Sequence, residues 1–187
     1  MPIILKGATS GQVTLDTPAI AGTNTITLPA STGTMQLLRL ETAQNTTSGT
    51  SIDFLNIPSW AKKITVMFNG VSTNGASIVQ IQLGTSGGIE TTGYTSTRYL
   101  GAYTSGTTGF LGFNGGATEI ASGHMVCTSI SGNSWVNSGV GKTATNLIAM
   151  VAGDKTLSGT LDRVRITTVN GTDTFDAGFV NILIEGN

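Results

Sequence analysis

An all-β fold, an antiparallel β-sandwich, is predicted by three features of this chain. Val, Ile, Leu and Phe alternate with Thr, Ser, Gln and Lys in one short run after another. Asn-Gly pairs and other Gly-rich breaks separate the runs, and no ten-residue window spaces apolar side chains at intervals of three and four. Charged residues are 10% of the 187, well under the roughly 25% of an ordinary soluble domain. Hydrophobic residues at 39% and a mean hydropathy of +0.17 nevertheless exclude a disordered polar chain. Thr, Ser, Asn and the 26 glycines must therefore supply most of the wettable surface.

The first 37 residues hold two Thr-rich extended runs, V-T-L at 13–15 and N-T-I-T-L-P at 24–29. Their β-branched alternation predicts strands, but too few large apolar side chains lie here to close a core. This N-terminal β-arm must lean on the main domain or on copies of itself. Residues 38–50 are expected to act as a linker, since E-T-A-Q-N-T-T-S-G-T (41–50) contains no Leu, Ile, Val, Phe or Trp. The sandwich domain then occupies 51–187. In K-K-I-T-V-M-F-N-G (62–70), Ile64, Val66 and Phe68 share one face and Lys63, Thr65 and Met67 the other. In A-S-I-V-Q-I-Q-L-G (76–84), Val79, Ile81 and Leu83 oppose Gln80 and Gln82, which implies two strands of matched length. Asn-Gly at 69–70, 74–75, 114–115 and 170–171 supplies the positive φ angles of tight reversals. Residues 84–123 are read as long loops with two short strands. H-M-V-C-T-S-I (124–130), S-G-N-S and W-V-N-S-G-V form a hairpin, and L-I-A-M-V-A (147–152) is a strand beside Gly153. The chain closes on a further hairpin, with Val164 and Ile166 before Asn170-Gly171 and Val180, Ile182 and Ile184 after it, the return broken at F-D-A-G.

A formal net charge of −1 provides no field to gather phosphates, so nucleic acid is not an expected partner. Cys127 is the single cysteine, which removes an intramolecular disulfide and a cysteine-based zinc site and suits a reducing cytoplasm. The opening M-P-I-I-L-K-G lacks a signal-peptide layout and no apolar run reaches spanning length, so neither secretion nor membrane insertion is expected.

Three stretches carry a resemblance: S-G-T-L-D-R-V-R-I-T-T-V-N-G-T-D-T-F-D-A-G (158–178), I-D-F-L-N-I-P-S-W-A-K-K-I-T-V-M-F-N-G-V-S-T-N-G (52–75) and A-G-T-N-T-I-T-L-P-A-S-T-G-T (21–34). They resemble bacteriophage virion proteins, notably tail-fibre and other appendage proteins; residues 84–157 carry no such likeness. The resemblance implies a non-enzymatic structural protein of a tailed phage, a homotrimer with a slender N-terminal β-region and a jelly-roll-like C-terminal domain. It would be assembled in the bacterial cytoplasm and carried in the virion, with other virion proteins as partners. A tail fibre contributing to host attachment through a surface glycan or outer-membrane receptor is the first reading. A capsid decoration or head-fibre protein is the second, and a depolymerase fragment the third.

Each sharper chemistry meets a plainer explanation. S-G-V-G-K-T (138–143) has Val136 where a phosphate-binding loop needs Gly, and A-T-N-L-I-A-M-V-A follows it in place of a helix. His124 is the only histidine, so no triad or metal cluster can gather around a second. No serine sits in G-x-S-x-G with a strand before it and a helix after it. Asp162, Asp173, Asp176 and Glu185 raise calcium binding near Asp173 and Asp176, yet T-D-T-F-D-A-G serves equally as turn chemistry. Arg163 and Arg165 are expected to pair with these acids across the sheet or a subunit boundary. No cofactor is expected. Tyr94, Tyr99, Tyr103 and Trp135 are the candidate glycan contacts, because an aromatic ring stacks on a sugar's apolar face while nearby hydroxyls and amides bond its OH groups; core or inter-subunit packing is the alternative. Trp60, after I-P-S, is expected to pack over a strand end.

Overall fold

The computed structural model describes residues 3–6, 9–15, 36–143 and 147–187. The chain divides into two compact units, Met1–Thr34 and Met35–Asn187. In the first, β1 (Ile3–Lys6) pairs antiparallel with β2 (Gln12–Leu15) in the register Ile3↔Leu15. The run expected at 24–29 lies outside the described residues.

The second unit is all-β and antiparallel, with no helix among its described residues. A nine-stranded sheet contains β3 (Leu37–Leu40), β4 (Gln44–Asn45), β6 (Ala61–Thr73), β9 (Tyr94–Tyr99), β10 (Tyr103–Gly106), β12 (Ala121–Ser131), β13 (Ser134–Lys142), β14 (Ile148–Thr156) and β16 (Phe175–Gly186). Its order is β10-β9-β14-β13-β12-β6-β16-β3, with β4 also on β16. A five-stranded sheet contains β5 (Ser51–Phe54), β7 (Val79–Thr85), β8 (Gly88–Ile89), β11 (Phe110–Leu111) and β15 (Arg163–Thr168), in the order β11-β7-β15-β5 with β8 on β7. One core lies between them. Ile64, Val66, Val180, Ile182 and Ile184 face it from the large sheet and Ile81, Leu83, Val164 and Ile166 from the small one, all at 1% exposure or less. T-shaped contacts of Phe68 with Phe113 and of Tyr94 with Phe110 close it, at centroid separations of 5.7 and 5.0 Å.

The expected alternation holds in β6 and β16, where each buried position is followed by a less buried one through Ile64–Phe68 and Val180–Ile184. In β7 the parity is right, but Gln80 and Gln82 are buried as well. The segment after β10 covers that face: Gln82 Nε2 donates to Thr108 O at 2.8 Å, and Thr108 Oγ1 donates to Gln80 Oε1 at 3.0 Å. Nor are β6 and β7 matched, with thirteen residues against seven, in different sheets. Residues 84–123 are more ordered than the loop reading, since β9 and β10 form a hairpin in the register Tyr99↔Tyr103. The β12–β13 hairpin and the β14 strand are as expected.

The closing hairpin is not formed. β15 pairs with β5 and β7, and β16 pairs with β6, β3 and β4. Asn170-Gly171 does turn the chain, with Gly171 at φ +69° and Asn170 Oδ1 accepting from the Thr172 and Asp173 amides. The connection from 169 to 174, however, is a corner between sheets. Stacked sheets lie about 10 Å apart against about 4.8 Å for paired strands, and such a corner lets both strands bury their apolar faces in the same core. Asn69-Gly70 is likewise no reversal. It sits inside β6 opposite the irregular stretch of β16 between Phe175 and Phe179, where Gly70 (φ +65°) meets Gly178 (φ +90°) in close backbone contact. Strands β3 and β4 lie along β16, and Thr46, fully buried, donates its amide to Gly178 O at 2.9 Å and its hydroxyl to Ala177 O at 2.7 Å.

Candidate functional site

The four aromatic residues singled out by sequence divide into a buried pair, Tyr94 and Trp135, and an exposed pair, Tyr99 and Tyr103. Tyr94 and Tyr99 are five apart on β9, so strand parity puts them on opposite faces. Tyr94 is 2% exposed; its hydroxyl accepts from the Leu83 amide at 2.7 Å and donates to Leu83 O at 3.2 Å, and burial pushes its phenol well above the ordinary range. It is a core residue. Trp135 also faces inward, at 3% exposure, and its indole N–H has no partner among the described residues.

Tyr99 and Tyr103 point out of the nine-stranded sheet, 36% and 80% exposed, with ring centroids 5.0 Å apart and planes tilted by 52°. Register extends their row across the sheet. Tyr103 opposes Tyr99, Tyr99 opposes Met150, Met150 opposes Val140, and Val140 opposes His124, which opposes Met67. Met150 and Val140 are each about half exposed. The neighbouring row begins Ser105, Thr97, Ala152, Ser138, so hydroxyls flank the apolar band. His124 is an exposed member of this face, with Met67 and Val140 opposite it.

A second concave region lies at one end of the large unit, built by the β5–β6 connection, the β12–β13 turn and the β14–β15 connection. Two adjoining hollows share Ser59, Thr160 and Leu161. One reaches Lys62, Asn133 and Trp135; the other reaches Thr85, Ser158 and Asp162. Beneath the wall lies an ion pair the sequence reading missed. Lys155, 6% exposed, places Nζ 2.6 Å from Glu90 Oε2 and 5.3 Å from the Tyr94 ring centroid. Glu90 Oε1 accepts from the Ser158 amide at 2.9 Å and hydroxyl at 2.7 Å. Burial raises the Glu90 pKa, but the hydrogen bonds from Lys155 and Ser158 outweigh it and leave the carboxyl below its usual range. The available signal was parity, since Lys155 falls on the same face of β14 as buried Ala149 and Val151.

The acids of the closing segment do not converge. Asp173 accepts from the Ser77 amide at 2.8 Å and from Asn170 Nδ2 at 2.6 Å, and these two bonds, the Asn170 one first, lower its pKa. Asp176 accepts from the Ser72 hydroxyl, and Glu185 pairs with Lys63 at 2.8 Å. Among the described residues no group of three His, Cys, Asp or Glu could hold a metal ion. Arg163 pairs with its chain neighbour Asp162 at 2.8 Å. Arg165 makes two 2.7 Å bonds to Asp53, an acid outside the expected set, because β15 pairs with β5 and puts Arg165 directly opposite Asp53. Cys127 is fully buried and accepts from Asn137 Nδ2 at 3.3 Å; burial pushes its thiol up to about 12 despite that bond. Of S-G-V-G-K-T, residues 138–142 lie in β13 as a strand. No protein-family model, curated protein or solved structure matches the chain.

Proposed function

We propose that the protein is a non-enzymatic structural component of a tailed-phage virion, a tail-fibre or appendage protein that contributes to host-surface attachment. The observation that carries the reading is the outward band of Tyr103, Tyr99, Met150 and Val140, flanked by hydroxyls, on a molecule with little charge. Its likeness to phage appendage proteins at 21–34, 52–75 and 158–178 supplies the class. On this reading the large unit is a jelly-roll-like body in a homotrimer, made in the host cytoplasm and carried in the virion. Each copy offers the same face, and three weak contacts on one rigid particle multiply into avidity without further chemistry. Tyr99 and Tyr103 are the receptor contacts, their rings placed to cover the apolar face of a sugar or a receptor side chain.

Binding of the labelled full chain to host cells tests this. We expect saturable binding that falls at least about tenfold when Tyr99 and Tyr103 are both changed to Ser, with thermal stability unchanged, since multiplied weak contacts lose affinity together. Wild-type protein that does not bind cells would reject the attachment role.

One observation favours a second reading, capsid decoration. The β1–β2 hairpin belongs to a compact unit of its own, and Ile4 and Leu5 are more than half exposed. Such an arm suits anchoring on a lattice of capsid subunits. Tight binding to purified capsid shells, with no binding to cells, would favour this reading over the first.

A further inference from the structure

We infer that the notch at the Trp135 end of the large unit is a second recognition site, specific for an oligosaccharide that carries an acidic sugar next to neutral ones. Its two adjoining hollows, of about 130 and 470 Å³, are together of the size of ligand sites, which run roughly 300–1,000 Å³. They join into one trough through Ser59 and Thr160, and their lining is mainly hydroxyl, amide and backbone groups.

The chemistry of the trough is graded along its length. Lys62 stands at one end, and among the described residues it has neither an ion pair nor a hydrogen bond. Asn133, Ser59 and Thr160 likewise keep their side-chain polar groups free of protein partners. The other end carries the Asp162 carboxylate, already held by Arg163, whose remaining lone pairs can accept sugar hydroxyls. A free cation at one end favours an acidic group there, while the Asp162–Arg163 pair at the other, nearly neutral as a unit, offers no such attraction. Phosphate-rich ligands would need more than one cation, and a peptide strand would need an unpaired edge; a chain of hydroxyls fits the groups that are present. Trp135 lines the same hollow as Lys62, and its N–H is a buried donor left without a partner among the described residues. A bound sugar therefore changes the surroundings of its indole. Rigidity comes from below, where the Lys155–Glu90 pair holds Ser158 by both its amide and its hydroxyl.

This inference deepens the attachment reading by naming a ligand class, and it rests on that reading only for the biological source of the saccharide. The probe is a hyaluronan tetrasaccharide, in which acidic and neutral sugars alternate, with neutral chitotetraose as comparison. The readout is the pair of tryptophan indole resonances in a proton–nitrogen correlation spectrum of the full chain, which has just Trp60 and Trp135. We expect saturable movement of the Trp135 resonance with the acidic tetrasaccharide. Binding should be weaker by roughly tenfold or more for chitotetraose and for Lys62→Ser, as for loss of a hydrogen bond to a charged group. No saturable movement, or equal affinity in Lys62→Ser, would overturn it. Cell binding retained by a protein that ignores the tetrasaccharide would overturn the notch and leave the attachment role standing. Saccharide binding by a protein that ignores cells would do the reverse.

Discussion

Lys155 shows how much burial decides at the scale of a residue. Its ammonium is 6% exposed and its partner Glu90 20%, so removing the carboxylate strands a charge inside the sandwich. Glu90→Gln should cost about 3 kcal/mol at neutral pH, as for breaking a buried pair. The pH sense follows from the depressed Glu90 pKa. The stabilisation is fully present above the unfolded value of about 4.3 and is lost as pH falls through the lower folded value. Urea denaturation of wild type and variant should therefore differ most above about pH 5 and converge in acid. The pair Arg165–Asp53 is geometrically better, two bonds of 2.7 Å, but each side chain is about one-third exposed. Solvent screening reduces its worth, and Asp53→Asn should cost under about 1 kcal/mol in the same measurement. Cys127, with its thiol pushed up to about 12 by burial, should resist alkylation at pH 8 in the native protein and react at the rate of global unfolding.

Among the elements, β16 organises the large unit, since it is flanked by β6 on one side and by β3 and β4 on the other. Its irregular stretch depends on Gly178, held at φ +90° with its α-carbon packed on the Gly70 backbone, so a Cβ there meets both strain and main-chain atoms. Gly178→Ala should lower stability by about 2–3 kcal/mol in thermal or chemical denaturation, as expected for a residue forced into that region. Sequence alone made β16 legible as a strand, because Val180, Ile182 and Ile184 keep strict alternation. It misled on pairing. Alternation fixes which side chains face the core but not which strand lies alongside, and Asn170-Gly171 turns a corner as readily as a hairpin. Asn69-Gly70 misled for a related reason, since positive φ serves a bulge as well as a turn. The same limit governed the candidate site. Tyr99 and Tyr103 became a surface pair because β9 and β10 form a hairpin in a stretch whose Gly and Ser content had suggested loops, while Tyr94 went inward by parity. The Glu90–Lys155 contact joins residues 65 positions apart, and only sheet order brings them together.

For the whole molecule, low charge and an all-β body suit the particle component proposed above, which would work by presenting faces. The outer face of the nine-stranded sheet keeps an apolar band beside hydroxyl rows, and the notch at one end adds a graded polar trough. Neither surface performs chemistry in this account, so its centre is location. On the proposed reading, the most direct measurement is a cryo-EM map of the intact phage particle. The account predicts density for the two-sheet body projecting from the tail in threefold copies, with the Tyr99–Tyr103 face turned outward. A map that accounts for every projecting density without this chain would contradict it.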